Sequence, residues 1–159
     1  MKNFIFTFIL FVLLLTVNVA PFQLNKRAIT FKPCISLKLT VDVEIGPNPP
    51  ESGKSESFNV SGSLMSPITN NTTLIITYSG INGGQIGDKY FQNFTHSIIP
   101  GTPFEISASD VPTPELPDTY LLEVEVGERI DSGLVTYACA VAEVATVSVS
   151  FETSKIFDI

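Results

Sequence analysis

Few residues of this chain are equipped for covalent or metal chemistry. His96 is the one histidine among 159 residues, and Cys34 and Cys139 are the two cysteines. A Ser-His-Asp type triad would need His96 as its base. No serine stands in a Gly-x-Ser-x-Gly turn, and His96 directly follows Thr95 of a glycosylation pattern, which predicts an exposed strand or loop position. Glu123 and Glu125 offer a carboxylate pair of the kind used in glycoside hydrolysis. At i and i+2 of a strand they share its outward face, as ordinary solvated acids do. Gly83-Gly84 has neither the Lys-Ser/Thr pair nor the following helix of a phosphate loop. A structural zinc wants four nitrogen or sulfur ligands, more than the cysteines and the histidine supply. The expectation is therefore no catalytic residue, no metal site, no cofactor and no enzyme.

Composition narrows the classes further. The chain is 44% apolar and only 16% charged, with a net charge of −7; about 25% charged is usual. Nine basic residues against sixteen acidic ones leave no electrostatic footprint for nucleic acid. Mean hydropathy is nevertheless +0.30, and part of it sits at the start. Met1, Lys2 and Asn3 precede Phe4 to Val17, a stretch apolar except at Thr7 and Thr16. As a helix it would measure about 21 Å, short of the ~30 Å hydrocarbon core. Residues 1–20 thus read as a secretory signal peptide rather than an uncleaved anchor. Ala20 suits a cleavage site, although Pro21 after it does not. Lys26-Arg27 reads either as a dibasic processing site, with a propeptide to residue 27, or as two solvated charges. Loss of residues 1–27 leaves six basic residues against sixteen acidic ones, a net charge of −10. Such a chain is not drawn to an anionic membrane by charge, although transient membrane contact is compatible with it.

Entry into the secretory route gives weight to Asn59-Val60-Ser61, Asn71-Thr72-Thr73 and Asn93-Phe94-Thr95, three N-glycosylation patterns. In an oxidising compartment Cys34 and Cys139 most simply form one disulfide, the alternative being two buried thiols. The protein is expected to be secreted or held in the lumen of the secretory or vacuolar system, as a monomer.

Residues 28–159 read as one antiparallel β domain. Leu37, Leu39, Val41, Val43 and Ile45 alternate with polar residues up to the Gly46-Pro47-Asn48-Pro49-Pro50 turn. Phe58, Val60 and Leu64 alternate with Ser57, Asn59 and Ser61, which puts the sequon outward. Leu74, Ile76 and Tyr78 form a third strand. The Asn93 sequon places Phe91 outside in a regular strand, so a bulge or loop is needed near Tyr90, Phe91 and Phe94. Pro112, Pro114 and Pro117 hold a non-helical linker, and Tyr120, Leu122, Val124 and Val126 oppose Glu123 and Glu125. A last strand, Leu134 to about Phe151, carries Val135, Tyr137, Cys139 and Val141 on one side. About seven strands indicate a two-sheet antiparallel sandwich. The immunoglobulin Cys-Trp-Cys signature is absent, since there is no tryptophan. The inward set predicted from strand parity is Phe58, Val60, Leu74, Ile76, Tyr78, Phe94, Phe104, Ile106, Tyr120, Leu122, Val124, Val135 and Tyr137.

The order of these signals resembles the ML lipid-recognition domain, and is similar to fungal phosphatidylglycerol/phosphatidylinositol transfer proteins and the Niemann–Pick sterol carrier. Cys34, Pro47, Pro49, Pro50, Gly53, Phe58, Val60 and Gly62 match the start of that domain. Pro117, Tyr120 and Cys139 match its end, so the likeness spans roughly residues 31–150. The middle departs: "GDKYFQNFTHSIIPGTPFEI" lacks the family's second cysteine pair, so ligand identity is not carried across. The resemblance implies an immunoglobulin-like sandwich whose sheets enclose an apolar cavity. In it the inward set above would contact a sterol or phospholipid, bound or transferred without a chemical step. The alternative is an adhesion or cell-surface recognition domain with a closed core.

Protein secreted from a eukaryotic host should lose mass on peptide N-glycosidase treatment. Asn59→Gln, Asn71→Gln and Asn93→Gln should each remove at most one glycan; a mass equal to the bare polypeptide would refute the glycosylation expectation.

Overall fold

A computed structural model describes residues 28–35, 37, 39–131 and 133–145. The expected signal peptide, Lys26-Arg27 and the tail of the last strand to Phe151 lie outside the described residues. The described chain is all β, with a five-stranded and a three-stranded antiparallel sheet. The strands are β1 (Lys32–Pro33), β2 (Asp42–Gly46), β3 (Ser55–Ser63), β4 (Thr72–Ser79), β5 (Gln85–Asn93), β6 (Pro103–Pro112), β7 (Thr119–Ile130) and β8 (Gly133–Ala145). One sheet runs β1-β8-β7-β4-β5 and the other β2-β3-β6.

Alternation of side chains explains the layering. Phe58 and Val60 of β3, Phe104 and Ile106 of β6, Leu74, Ile76 and Tyr78 of β4, and Leu122, Val124 and Val126 of β7 are buried in one apolar cluster. β4, central in its sheet, is buried on both faces from Thr72 to Tyr78. Its outward Ile75 lies between Phe91 and Glu125 in the ladder, and Arg129 stands 4.9 Å from the Phe91 ring centre.

Two crossings between the sheets, 64–71 and 94–102, lie side by side. Ile68 and Ile98 exchange two backbone hydrogen bonds of 3.0 Å, and Gly101 N donates to Leu64 O at 2.7 Å. These bonds satisfy backbone groups that leave the ladders where the chain changes layer. Phe94 follows the end of β5 and turns inward against Phe104, edge to face at 5.5 Å. The strand end therefore resolves the conflict between an outward Asn93 and a buried Phe94.

Two expectations are corrected. The alternating run from Leu37 to Ile45 enters the ladder only at Asp42. Cys34 N donates to Cys139 O and Cys139 N to Leu39 O, so Cys34 and Leu39 both stay beside β8 before the chain crosses to the other sheet. The apolar alternation records burial on both sides of that crossing and is blind to the change of sheet. The run Val135, Tyr137, Cys139 and Val141 is not one inward row: Ala138, Ala140 and Ala142 are the residues of β8 with no exposure. The register slips between Val126 and Gly127, where a Cβ on Gly127 would lie 2.5 Å from Val135 O. Val135 is exposed, as are Ile130 and Leu134, because the β7–β8 hairpin runs past the packed interior.

Cys34 and Cys139 form a disulfide closing a separation of 105 residues. In the loop-entropy view a loop of ~100 residues is stabilised by up to about 4.7 kcal/mol. Replacing both cysteines by serine should lower unfolding free energy by ~2–5 kcal/mol in urea titration; an unchanged midpoint would overturn this role.

Candidate functional site

Two features stand out from the regular sandwich: a groove at one seam and a polar cluster in the interior. The groove, of about 650 Å³, is lined by Ile29, Thr30, Phe31 and Pro33 on one side and by Thr40 to Glu44 with Ser61 on the other. β1 is the edge of one sheet and β2 the edge of the other, so the groove sits where the two sheets part. The bracing is local: Ile29 N donates to Asn48 Oδ1 at 2.8 Å, and Asn48 Nδ2 donates back to Ile29 O. Both walls are mixed: Val41 belongs to the core and Ile29, Phe31 and Val43 pack against it, while Thr30, Thr40 and Ser61 make much of the accessible lining polar. Asp42 and Glu44, alternating with Val43 on β2, are exposed. Its volume falls within the ~300–1,000 Å³ range of small-molecule sites.

The polar cluster lies at the end of the sandwich away from the β7–β8 hairpin. Glu56 enters from the start of β3, Thr113 from just after β6, Tyr78 from the end of β4 and Tyr120 from the start of β7. All are buried, Glu56 to 2% exposure and Thr113 to 5%. Tyr78 Oη donates to Glu56 Oε2 at 2.9 Å, a hydrogen bond from one sheet to the other. The Tyr78 and Tyr120 rings are 6.2 Å apart. Glu56 Oε1 and Thr113 Oγ1 are buried without a hydrogen-bond partner. The Thr113 hydroxyl nonetheless lies within hydrogen-bonding reach of both Glu56 and Tyr78, and a Glu51 backbone group within reach of Glu56, and these neighbours favour the ionised forms. Burial is the larger influence and holds the Glu56 carboxyl above the usual carboxylate value, against the opposing hydrogen bond from Tyr78. Burial likewise raises Tyr78 and pushes Tyr120 up to about 12, with the Glu56 charge adding to it.

Of the predicted inward set, Phe58, Val60, Leu74, Ile76, Tyr78, Phe94, Phe104, Ile106, Tyr120, Leu122 and Val124 meet in the interior, each at most 8% exposed. Tyr137 is half-buried at its margin, its hydroxyl donating to Glu128 at 2.8 Å; Val135 is outside. Glu56 and Thr113 escape parity reasoning because a buried carboxylate and a linker threonine look like surface residues in sequence. The outward Ser55-Ser57 pair flanking Glu56 is the signal that could have placed it inside.

The residues considered for chemistry stay apart from both features. His96 is exposed and bonded to Thr95. Glu123 and Glu125 lie on the outer face, Glu125 accepting from Thr136 at 2.8 Å. Glu123 lies 3.3 Å from Cys139 Sγ and 3.7 Å from Cys34 Sγ. These sulfurs are bonded to each other, so they are not thiolate ligands and have no proton to donate. Burial, then Glu125, raises the Glu123 carboxyl, while Lys89 opposes the rise. Asn71 and Asn93 are exposed, and Thr73 Oγ1 donates to Asn93 Oδ1 at 3.0 Å, so two sequons abut. Asn59 is half-exposed, its amide donating to Glu105 at 2.7 Å.

No family model matches the chain, and no curated protein does. Among solved structures, chicken MD-1 complexed with lipid IVa is 14% identical at a TM-score of 0.49, over 76% of this chain and 90% of that one. A Bacteroides uniformis beta-glucuronidase 2 variant is 15% identical at a TM-score of 0.40, over 67% of this chain and 13% of its own length. At such identities neither match carries a ligand or an activity across to this chain.

Glu56 has a definite effect on stability against pH. Below 4.5, its ordinary value, folded and unfolded chains both hold the proton. As pH rises from there towards the raised folded value, the unfolded chain ionises first and folding loses stability. Glu56→Gln keeps an acceptor for Tyr78 and cannot ionise. Its melting temperature should exceed that of the unaltered protein at pH 7, and the gap should close below pH 4.5. A constant gap from pH 4 to 7 would show that Glu56 ionisation does not act on folding.

Proposed function

We infer that this is a secreted or lumenal protein that binds a lipid, a sterol or phospholipid, between its two sheets and performs no chemical step. The seam groove carries the reading: apolar side chains continuous with the core, Ile29, Phe31, Val41 and Val43, stand in it beside exposed polar ones. That is the arrangement an amphipathic ligand needs, with tail towards the interior and polar part towards water. Each methylene removed from water contributes roughly 0.8 kcal/mol, so a lipid needs apolar wall more than it needs functional groups. The resemblance of residues 31–150 to lipid-recognition domains points the same way. So does the disulfide, which fits an oxidising compartment.

A second reading has its own observation. The inward residues are so little exposed that the interior is closed as it stands. A recognition domain with a permanently closed core would look like this, with exposed Phe91 under Arg129 as a surface platform. The two readings differ in whether the sheets part.

Native mass spectrometry of the secreted protein after incubation with mixed sterol and phospholipid vesicles should show a one-to-one lipid adduct. Phe31→Asp, in the groove wall, should weaken binding about tenfold or more through the cost of a charge beside an apolar chain. Absence of any adduct with folded protein favours the recognition domain.

A further inference from the structure

The β4–β5 hairpin reverses through Gly80-Ile81-Asn82-Gly83-Gly84, and residues 81–84 are exposed. Asn82 is the one asparagine of the chain that glycine follows. Gly83 N donates to Gly80 O and Gly80 N to Gly84 O, both at 2.8 Å. Gly83 has a φ of 81°, the left-handed position that a three-residue hairpin assigns to glycine. Gly84 N donates to Asn82 Oδ1 at 3.2 Å, so the Asn82 side chain folds forward over its own following peptide. Gly80 leaves the room for it, because a Cβ there would lie 2.7 Å from Asn82 Oδ1. A Cβ on Gly83 would meet nothing within 4 Å, so that side of the peptide faces open space.

We propose that Asn82 is a self-modification site, at which the Gly83 backbone nitrogen displaces the side-chain amide and the chain acquires aspartate or isoaspartate. In the first step the Gly83 nitrogen bonds to Asn82 Cγ and the Cγ–Nδ2 bond breaks. The proton of Gly83 N leaves with Nδ2 as ammonia, and a five-membered succinimide remains. Water then cleaves one of the two ring C–N bonds, its hydroxyl going to the carbonyl carbon and its other hydrogen to the nitrogen. Cleavage at Cγ restores the main chain with aspartate. Cleavage at the main-chain carbonyl carbon leaves isoaspartate, whose main chain runs through Cβ. Nothing is oxidised or reduced, and water is the only co-reactant. The turn favours the first step in two ways. Glycine at 83 puts no side chain beside the attacking nitrogen. The Gly84 N–H stands at the oxygen on which negative charge gathers as Cγ becomes tetrahedral, as a donor does in an oxyanion hole. The Gly83 N–H must first leave Gly80 O, a bond in an exposed turn at the edge of its sheet, where local opening is easiest. The two products differ. Aspartate keeps an oxygen for Gly84 N. Isoaspartate lengthens the main chain between Gly80 and Gly84, which loosens the clamp on the first rungs of β5, Ser79–Gln85 and Tyr78–Ile86.

The test ages the full secreted protein, without glycosidase treatment, in heavy-oxygen water at mildly alkaline and mildly acidic pH, beside a sample unfolded in urea. Fragmentation mass spectrometry should find the acid, with one heavy oxygen, at Asn82 ahead of every other asparagine. The folded protein should convert at least as fast as the unfolded sample, and faster at alkaline pH, since the amide nitrogen attacks as its anion. Isoaspartyl methyltransferase should label the aged protein and leave aged Asn82→Gln unlabelled. Amide hydrogen exchange at Gln85 and Ile86 should quicken in the isoaspartyl fraction and stay unchanged in Asn82→Asp. Retention of the Asn82 amide in the folded protein while the unfolded sample converts overturns the proposal, because the turn then protects the residue. Conversion spread evenly over the asparagines overturns it as well. Unaltered exchange at Gln85 and Ile86 in the isoaspartyl fraction overturns the loosening of β5.

Discussion

The two sheets share no ladder hydrogen bonds among the described strands, so burial of their facing side chains is the interaction on which the rest of the architecture depends. Each buried Leu, Ile, Val or Phe contributes about 1.5–3 kcal/mol relative to exposure. Residues such as Phe58, Leu74 and Leu122 work in this way because strand alternation delivers them all to one layer. The chain crosses between the sheets at β1–β2, β3–β4, β5–β6 and β6–β7. Those crossings keep the layers in register but add little attraction between their faces. Non-directional attraction of this kind lets the layers separate locally without breaking a ladder.

Seen in this light, the two ends of the sandwich differ. The paired loops 64–71 and 94–102 are closed by reciprocal Ile68–Ile98 bonds and by Phe94 against Phe104. The opposite end is joined across the layers by the Tyr78–Glu56 hydrogen bond. That bond is directional and partly offsets the burial of a carboxyl group, and the group's raised proton affinity reports that the cost is not fully repaid. A core of leucine or valine at this position would be the simpler solution for stability alone.

The β1–β2 seam is a third region, where neither closure operates. Its disulfide sits on the outer face beside Glu123, holding Cys34 to β8, where Leu39 also bonds. The chain is thus fixed to one sheet just before it must join the other. The groove is a consequence: two edge strands belong to different layers and are joined by a tethered connection. Stability from the long covalent loop and access at the seam come from the same pairing of Cys34 with Cys139.

Much of this was legible in the order of residues. Period-two alternation in β3, β4 and β7 places Val60, Ile76 and Val124 inside, because side chains on a pleated strand must alternate. The cysteine count leaves a single intramolecular pairing, and the proline and glycine clusters mark where strands end. Other features were decided only by tertiary structure. Alternation is local and cannot say which sheet a strand joins, so Leu37 and Leu39 looked continuous with β2. In β8 both faces are apolar, and the slip at Gly127 sets which row turns in, because that backbone approaches β8 too closely for a side chain. Glu56 reads as one more surface acid. Only the packing of four elements around it makes it buried and joined to Tyr78, because desolvation is a property of neighbours in space and not of neighbours in sequence.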